Sequence, residues 1–202
     1  IDVNGTQNVD SVVFLNDGYT ITSGTLNFST KSVIFVEAGK TANMSATITS
    51  TLGLIKYGAG TLILDGSNSF SNPVNINGGT LQIGNGDNSG SINSPVVNNG
   101  TLIFNRSNSF SFSQIISGTG NLIKEGEGTL TLSGNNTYNG STSINSGILQ
   151  LGAANVIPHG ASKGDVFLSG TLDLNSYSDT IDGLSGNGIV NNSTAGTPVL
   201  TI

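Results

Sequence analysis

The sequence predicts an all-β fold, a β-solenoid in which short strands coil around one long axis at about twenty residues per turn. Three observations lead there. A phrase, Gly-Thr-Leu-x-apolar, starts at Gly24, Gly60, Gly79, Gly100, Gly128 and Gly170, with Gly147-Ile-Leu-Gln-Leu151 as a variant. Inside each phrase apolar and polar residues alternate, the period of a strand with one buried face. Of 202 residues, 29 are Gly and only 9% are charged, so turns are frequent and helix-stabilising charge pairs are scarce. No apolar period of 3.6 is sustained anywhere. A β-sandwich also alternates, but nothing in a sandwich requires the same phrase to recur.

Taken in chain order, residues 1–50 share only the general style, with Leu26 and Phe28 as an inward pair. The inward pairs that follow are Leu62/Leu64, Leu81/Ile83, Leu102/Phe104, Leu130/Leu132, Leu149/Leu151 and Leu172/Leu174. Their outward neighbours are Asn27, Gln82, Thr131, Gln150 and Asp173, with Ile63 and Ile103 as apolar exceptions. All twelve residues from Leu62 to Leu174 are expected in one elongated core. Nine or ten turns stacked at the strand spacing make a rod roughly 45 Å long. Gly58–Gly84 and Gly126–Gly152 repeat the same layout 68 residues apart, which reads as a unit of about three turns. Neither end of the chain carries a polar capping helix, so the natural protein is expected to extend beyond at least one end.

Composition excludes several classes of function. Six basic residues scattered along a chain of net charge −6 cannot form a phosphate-tracking stripe, so no nucleic acid is expected as partner. The absence of Cys removes disulfides, thiolate metal sites and cysteine nucleophiles. No apolar run approaches the length of a membrane-spanning helix.

The repeated residues carry a family resemblance. The pattern Leu-Ile-Lys-x-Gly-x-Gly-Thr-Leu-x-Leu-x-Gly-x-Asn-x-[Phe/Tyr], closed by Gly-x-Leu-Gln-[Ile/Leu]-Gly, resembles the passenger-associated transport repeat of bacterial autotransporters. Its copies lie near 52–84 and 120–152. The stretches from Leu102 to Gly120 and from Leu172 to Gly188 resemble the linking segments between such repeats. The resemblance implies a right-handed parallel β-helix forming a single passenger segment over residues 1–202. It implies type V secretion through a C-terminal translocator barrel in the full-length chain, and repeats that help the passenger fold as it emerges. It places the protein in the medium or on the bacterial outer-membrane surface, a monomeric stalk or adhesin contacting a host-cell or matrix component. A soluble ligand for a host receptor would use the same fold. A polysaccharide-active β-helix enzyme would instead collect acids and bases on one face of the coil, and here they are dispersed, so no enzyme is expected.

No catalytic, cofactor or metal constellation is visible. Lys56 and Lys124 share one repeat position and read as solvated residues at strand ends. Glu125 and Glu127 have no counterpart in the other copy, Tyr57-Gly-Ala59, and read as surface variation. His159 is the single histidine, in a loop, and cannot build a multi-histidine site. Phe70 and Tyr138, at equivalent positions, read as core or ledge packing. Asp87 lies in Gly84-Asn-Gly-Asp-Asn-Ser-Gly90 without the carboxylates of a calcium loop, a plain turn. The remaining surface candidates are the copy-specific loops Gly84–Pro95, Asn105–Gln114 and Ala153–Asp165. In the second, Arg106, Phe110 and Phe112 combine residue types favoured at interfaces and form the candidate binding loop.

Overall fold

The computed structural model describes all residues, 1–202. Its named elements are strands only, and every pairing between them is parallel. They stack as a β-solenoid of about 10 turns with about 20 residues per turn.

Three strand positions make one turn. One face is a sheet of nine strands running from Tyr19–Ile21 to Leu184–Gly186, one strand from each turn. The other two faces begin together, because strand Thr25–Val36 is long enough to serve both. Its first part pairs with Thr47–Ser50 and its second part with Leu54–Tyr57. From the second part a face continues through Val74–Ile76, Val96–Asn98 and Ile116–Ser117. The face through Thr47–Ser50 reaches Ser69–Phe70 and stops. In the next turn its place is taken by residues 91–93, joined to the turn before by the isolated Ser67–Ser91 bridge. Regular pairing resumes at Phe110–Phe112, which opens a five-stranded sheet ending at Ile189–Asn191.

The alternation of the sequence becomes columns along the axis. Leu62, Leu81, Leu102 and Leu122 lie in register, as do Leu64, Ile83 and Phe104. All twelve predicted inward residues are buried, in one hydrophobic cluster of 39 residues. A column works because each strand's closest neighbours are the equivalent residues one turn away, so like side chains stack at the strand spacing.

The repeat does not end where it began around the coil. The strand holding Lys56 belongs to the face that runs through Val74–Ile76, whereas the strand holding Lys124 belongs to the nine-stranded face. Leu64 lies on that nine-stranded face and its counterpart Leu132 on the five-stranded one. The linking segments shift in the same way, with Ile116 on one face and its counterpart Leu184 on the next. Sixty-eight residues are therefore three turns plus one face. The expected unit of about three turns is corrected by that third of a turn, which is set by ten strand positions rather than nine.

Candidate functional site

The residues common to the two copies point inward. Lys56 is 0% exposed and Lys124 2%. Lys56 stacks between Ile34 and Ile76, and Lys124 between Phe104 and Ile144. Each side chain turns its ammonium to the corner after its strand. Lys56 Nζ donates to the carbonyls of Tyr57 (3.2 Å), Gly58 (2.7 Å) and Gly78 (3.1 Å). Lys124 Nζ donates to Glu125 (2.6 Å), Gly126 (2.7 Å) and Ser146 (3.2 Å), the same positions 68 residues on. Two acceptors lie in the lysine's own turn and the third in the next, so each ammonium clips successive turns together. The expectation of solvated lysines is overturned in both copies. The strand alternation that buries Leu54 also buries Lys56, and the bend exposes carbonyls that need donors. Burial pushes both lysines down to about 8, so the charged form is the resident one at neutral pH. The corner glycine Gly58 has φ +81°, and a Cβ there would collide with the Val36 carbonyl.

A second clip uses asparagine. Asn68 Oδ1 accepts the Ile48 N–H of the preceding turn (2.9 Å), and its Nδ2 donates to Ser91 of the following one (3.1 Å). Asn136 repeats this with the Ile116 N–H and the Val156 carbonyl, both at 2.9 Å. Beside them Phe70 and Tyr138 are buried as expected, and the Tyr138 hydroxyl bonds Thr142 Oγ1 at 2.6 Å. Near the other end of the rod Asp179 takes the asparagine's place. Its Oδ2 accepts the Val156 and Ile157 N–H groups at 3.0 and 3.2 Å, and burial pushes its carboxyl upward.

The copy-specific loops are tied down too. All five donors of Arg106 are engaged within the protein. Nη1 donates to the Ser89 carbonyl (2.6 Å) and the Gly90 carbonyl, and Nη2 to the Asn88 carbonyl and Asn108 Oδ1 (2.9 Å); Nε also reaches Asn108 Oδ1, at 3.1 Å. Arg106 thus staples the Gly84–Gly90 excursion to its own turn, and its guanidinium carbon sits 4.9 Å from the Phe110 ring centroid. Phe110 and Phe112 belong to a strand. Phe112 is 2% exposed and packs 5.4 Å from Phe104, while Phe110 is half-buried. The structure therefore brings the three candidates together but places Phe112 in the core, where alternation carries it.

Between residues 91–93 and Phe110–Gln114 lies a groove of about 290 Å³. It marks the interrupted face. A larger hollow of about 350 Å³ lies against the outermost strand, lined by Ile1, Val12 to Asn16, Tyr19 and Ile21. His159 is exposed beside Lys163, whose Nζ is held by the Thr137 carbonyl and Asn139. In the same loop Val156, Ile157 and Pro158 are buried, so Ala153–Asp165 is only partly a surface loop. Asp87 caps its own turn, accepting the Ser89 N–H at 2.7 Å. Glu125 accepts from Asn145 (2.6 Å) at the surface, and no three metal-ligating side chains come together.

A coil whose repeated residues are internal clips and whose copy-specific residues lie in loops is a β-solenoid with a structural repeat. Residues 54–83 and 122–151, which hold both lysines and both clip asparagines, match the family described as passenger-associated-transport-repeat. A curated relative, "Adhesin BmaC autotransporter" from Brucella suis biovar 1 (strain 1330), is 43% identical over 183 residues, covering 76% of this chain. The chain belongs to the autotransporter passengers carrying this repeat. It spans about 5% of the length of that relative. As such a passenger it is secreted or displayed on the bacterial outer-membrane surface. No solved structure matches the chain.

Proposed function

We propose that this segment is a rigid, non-enzymatic part of an adhesin, contacting a host-cell or matrix component through its copy-specific surface while the repeats aid folding during secretion. The observation that carries this is the division of labour within the coil. Each repeat residue singled out by its spacing (Lys56, Asn68, Phe70 and their counterparts) is buried, so recognition is left to what the copies do not share. The relative's description as an adhesin supports the same reading. The whole of residues 1–202 acts as one passenger segment and as a single chain. A C-terminal translocator barrel belongs to the full-length protein, as its kinship to an autotransporter suggests. The contact region is the loop of Arg106, Phe110 and Phe112, where Arg106 and Phe112 hold the shape and Phe110 reaches the surface.

The clips give the folding role a physical basis. In each repeat copy the arriving turn supplies an acceptor to a lysine and to an asparagine already in place. Addition of a turn is then rewarded locally, the behaviour of a nearest-neighbour solenoid. The test is attachment of labelled segment to epithelial cells and to immobilised matrix proteins, comparing wild type with Arg106→Met and Phe110→Leu. Loss of attachment with the thermal midpoint retained supports the reading. Full attachment by both variants removes this loop as the contact site. Secretion of a full-length chain carrying Lys56→Met and Lys124→Met is expected to slow; unchanged export would remove the folding role.

A further inference from the structure

We infer that the groove between residues 91–93 and Phe110–Gln114 binds a neutral saccharide, an inference that rests on the contact-surface reading and gives it a ligand class. The groove exists because one face of the solenoid is broken there. Ser69–Phe70 ends one sheet and Phe110–Phe112 begins another. No backbone hydrogen bond joins Phe110–Phe112 to residues 91–93, so the strand's edge groups face the groove without protein partners. The polar lining is Ser91, Asn93, Ser111, Ser113 and Gln114, hydroxyls and amides that both donate and accept. Asn93 Oδ1 accepts the Phe70 N–H at 3.2 Å, but its Nδ2 and the side chains of Ser111, Ser113 and Gln114 make no hydrogen bond within the protein. Phe110 supplies the apolar surface. It heads the column Phe110, Leu130, Leu149, Leu172; the Arg106 guanidinium lies over its ring, and the part left uncovered lines the groove.

A sugar ring has a matching division, an apolar C–H face for the aromatic ring and a rim of hydroxyls for the amides and serines. The ligand is neutral because no charged side chain lines the groove, and the nearby cation, Arg106, has no donor left for an anion. An extended peptide fits less well, since only three residues of strand edge are open and residues 91–93 lie alongside them. The volume, about 290 Å³, is at the low end for ligand sites and suits one or two rings.

The experiment is saturation-transfer and amide-shift NMR on the 202-residue segment with lactose, N-acetyllactosamine, mannobiose and sialyllactose. At least one neutral disaccharide is expected to bind with Kd on the order of 1 mM, moving the amides of Asn93 and Phe110–Gln114. Gln114→Ala, whose side chain has no partner in the fold, is expected to weaken binding about fivefold with an unchanged thermal midpoint. Phe110→Leu keeps apolar bulk but loses the ring, and weakens it further. No binding by any neutral sugar at about twenty times that concentration, shifts confined to another face, or a tenfold preference for sialyllactose over lactose would each overturn the inference. Attachment assays separate it from the contact reading. Attachment lost in Phe110→Leu without any sugar binding leaves a contact site and sinks the saccharide. Sugar binding with attachment intact supports the saccharide and removes this groove from adhesion.

Discussion

Lys56 and Lys124 place a positive charge where a passenger core would otherwise be apolar. A buried ammonium survives only if its donors are used, and each here meets three carbonyls. Lys56→Met keeps the stem and removes the donors; chemical denaturation is expected to show a loss of about 2 kcal/mol. Lys31→Met, on an exposed residue, should change stability by less than about 0.5 kcal/mol. The pH dependence follows from the lowered values, about 8 in the fold against 10.5 for the free side chain. Between those values the unfolded chain binds more protons than the folded one, so stability rises with pH in that window. Wild type should therefore gain on the double Lys→Met variant between about pH 8 and pH 10, read as a widening gap in urea midpoints. Asp179 gives the opposite sign. Its raised carboxyl supports the fold below the unfolded carboxylate range and loses that support as pH rises through its folded value. Its other oxygen, Oδ1, accepts the Thr180 N–H at 2.8 Å, so an amide cannot replace the carboxylate without loss. Wild type is expected to gain on Asp179→Asn as pH falls from neutral towards about pH 4, read as urea midpoints.

At the scale of elements, strand Phe110–Phe112 joins core and surface. Phe112 fills the core against Phe104, so Phe112→Ala should cost about 3–5 kcal/mol. Phe110→Leu, at a half-buried site, should cost less than about 1.5 kcal/mol. That difference, measured by thermal unfolding, tests whether the candidate loop splits into a structural and a displayed half. Arg106 anchors the neighbouring excursion through carbonyls of Asn88, Ser89 and Gly90. Arg106→Met is expected to leave the strand ladder intact while limited proteolysis cuts Gly84–Gly90 several-fold faster, because an untied loop opens without the rest of the fold. Unchanged cleavage would show that Asp87 and Ser107, paired backbone to backbone at 2.8 Å, hold the loop by themselves.

For the whole molecule, the decisive quantity is the phase of the repeat. Three turns plus one face between copies means that equivalent surface points face directions about a third of a turn apart. Tandem copies therefore cannot build one flat bivalent surface, whereas an internal clip works equally well on any face. Duplicating residues 54–121 reproduces native junctions at both seams, because residue 54 and residue 122 are equivalent. The longer chain should fold and lengthen the rod by about 16 Å at the parallel-strand spacing, measurable by small-angle scattering. Failure to fold would show that the phase shift needs these particular neighbours. Ion pairing contributes little to the rod, since its one salt bridge, Lys40 to Asp17 at 3.8 Å, is solvent-exposed.

What the sequence determined by itself was the side on which each strand residue lies. Alternation separated Leu62 and Leu64 from Thr61, and recurrence of the phrase separated a solenoid from a sandwich. Equivalent spacing marked Phe70 and Tyr138 as packing residues. The same alternation also points Lys56 and Phe112 inward, against the usual preference of a charged side chain and of a turn-rich segment for the surface. Only the tertiary structure decided which face each strand joins, and so the phase of the repeat, the three carbonyls around each lysine and the break that opens the groove. The physical reason is that period two is a property of one strand, whereas these features depend on the turn stacked against it, about twenty residues away. A side chain's partner in a solenoid is set by how many residues each corner consumes, and that sum is closed only when the turns pack.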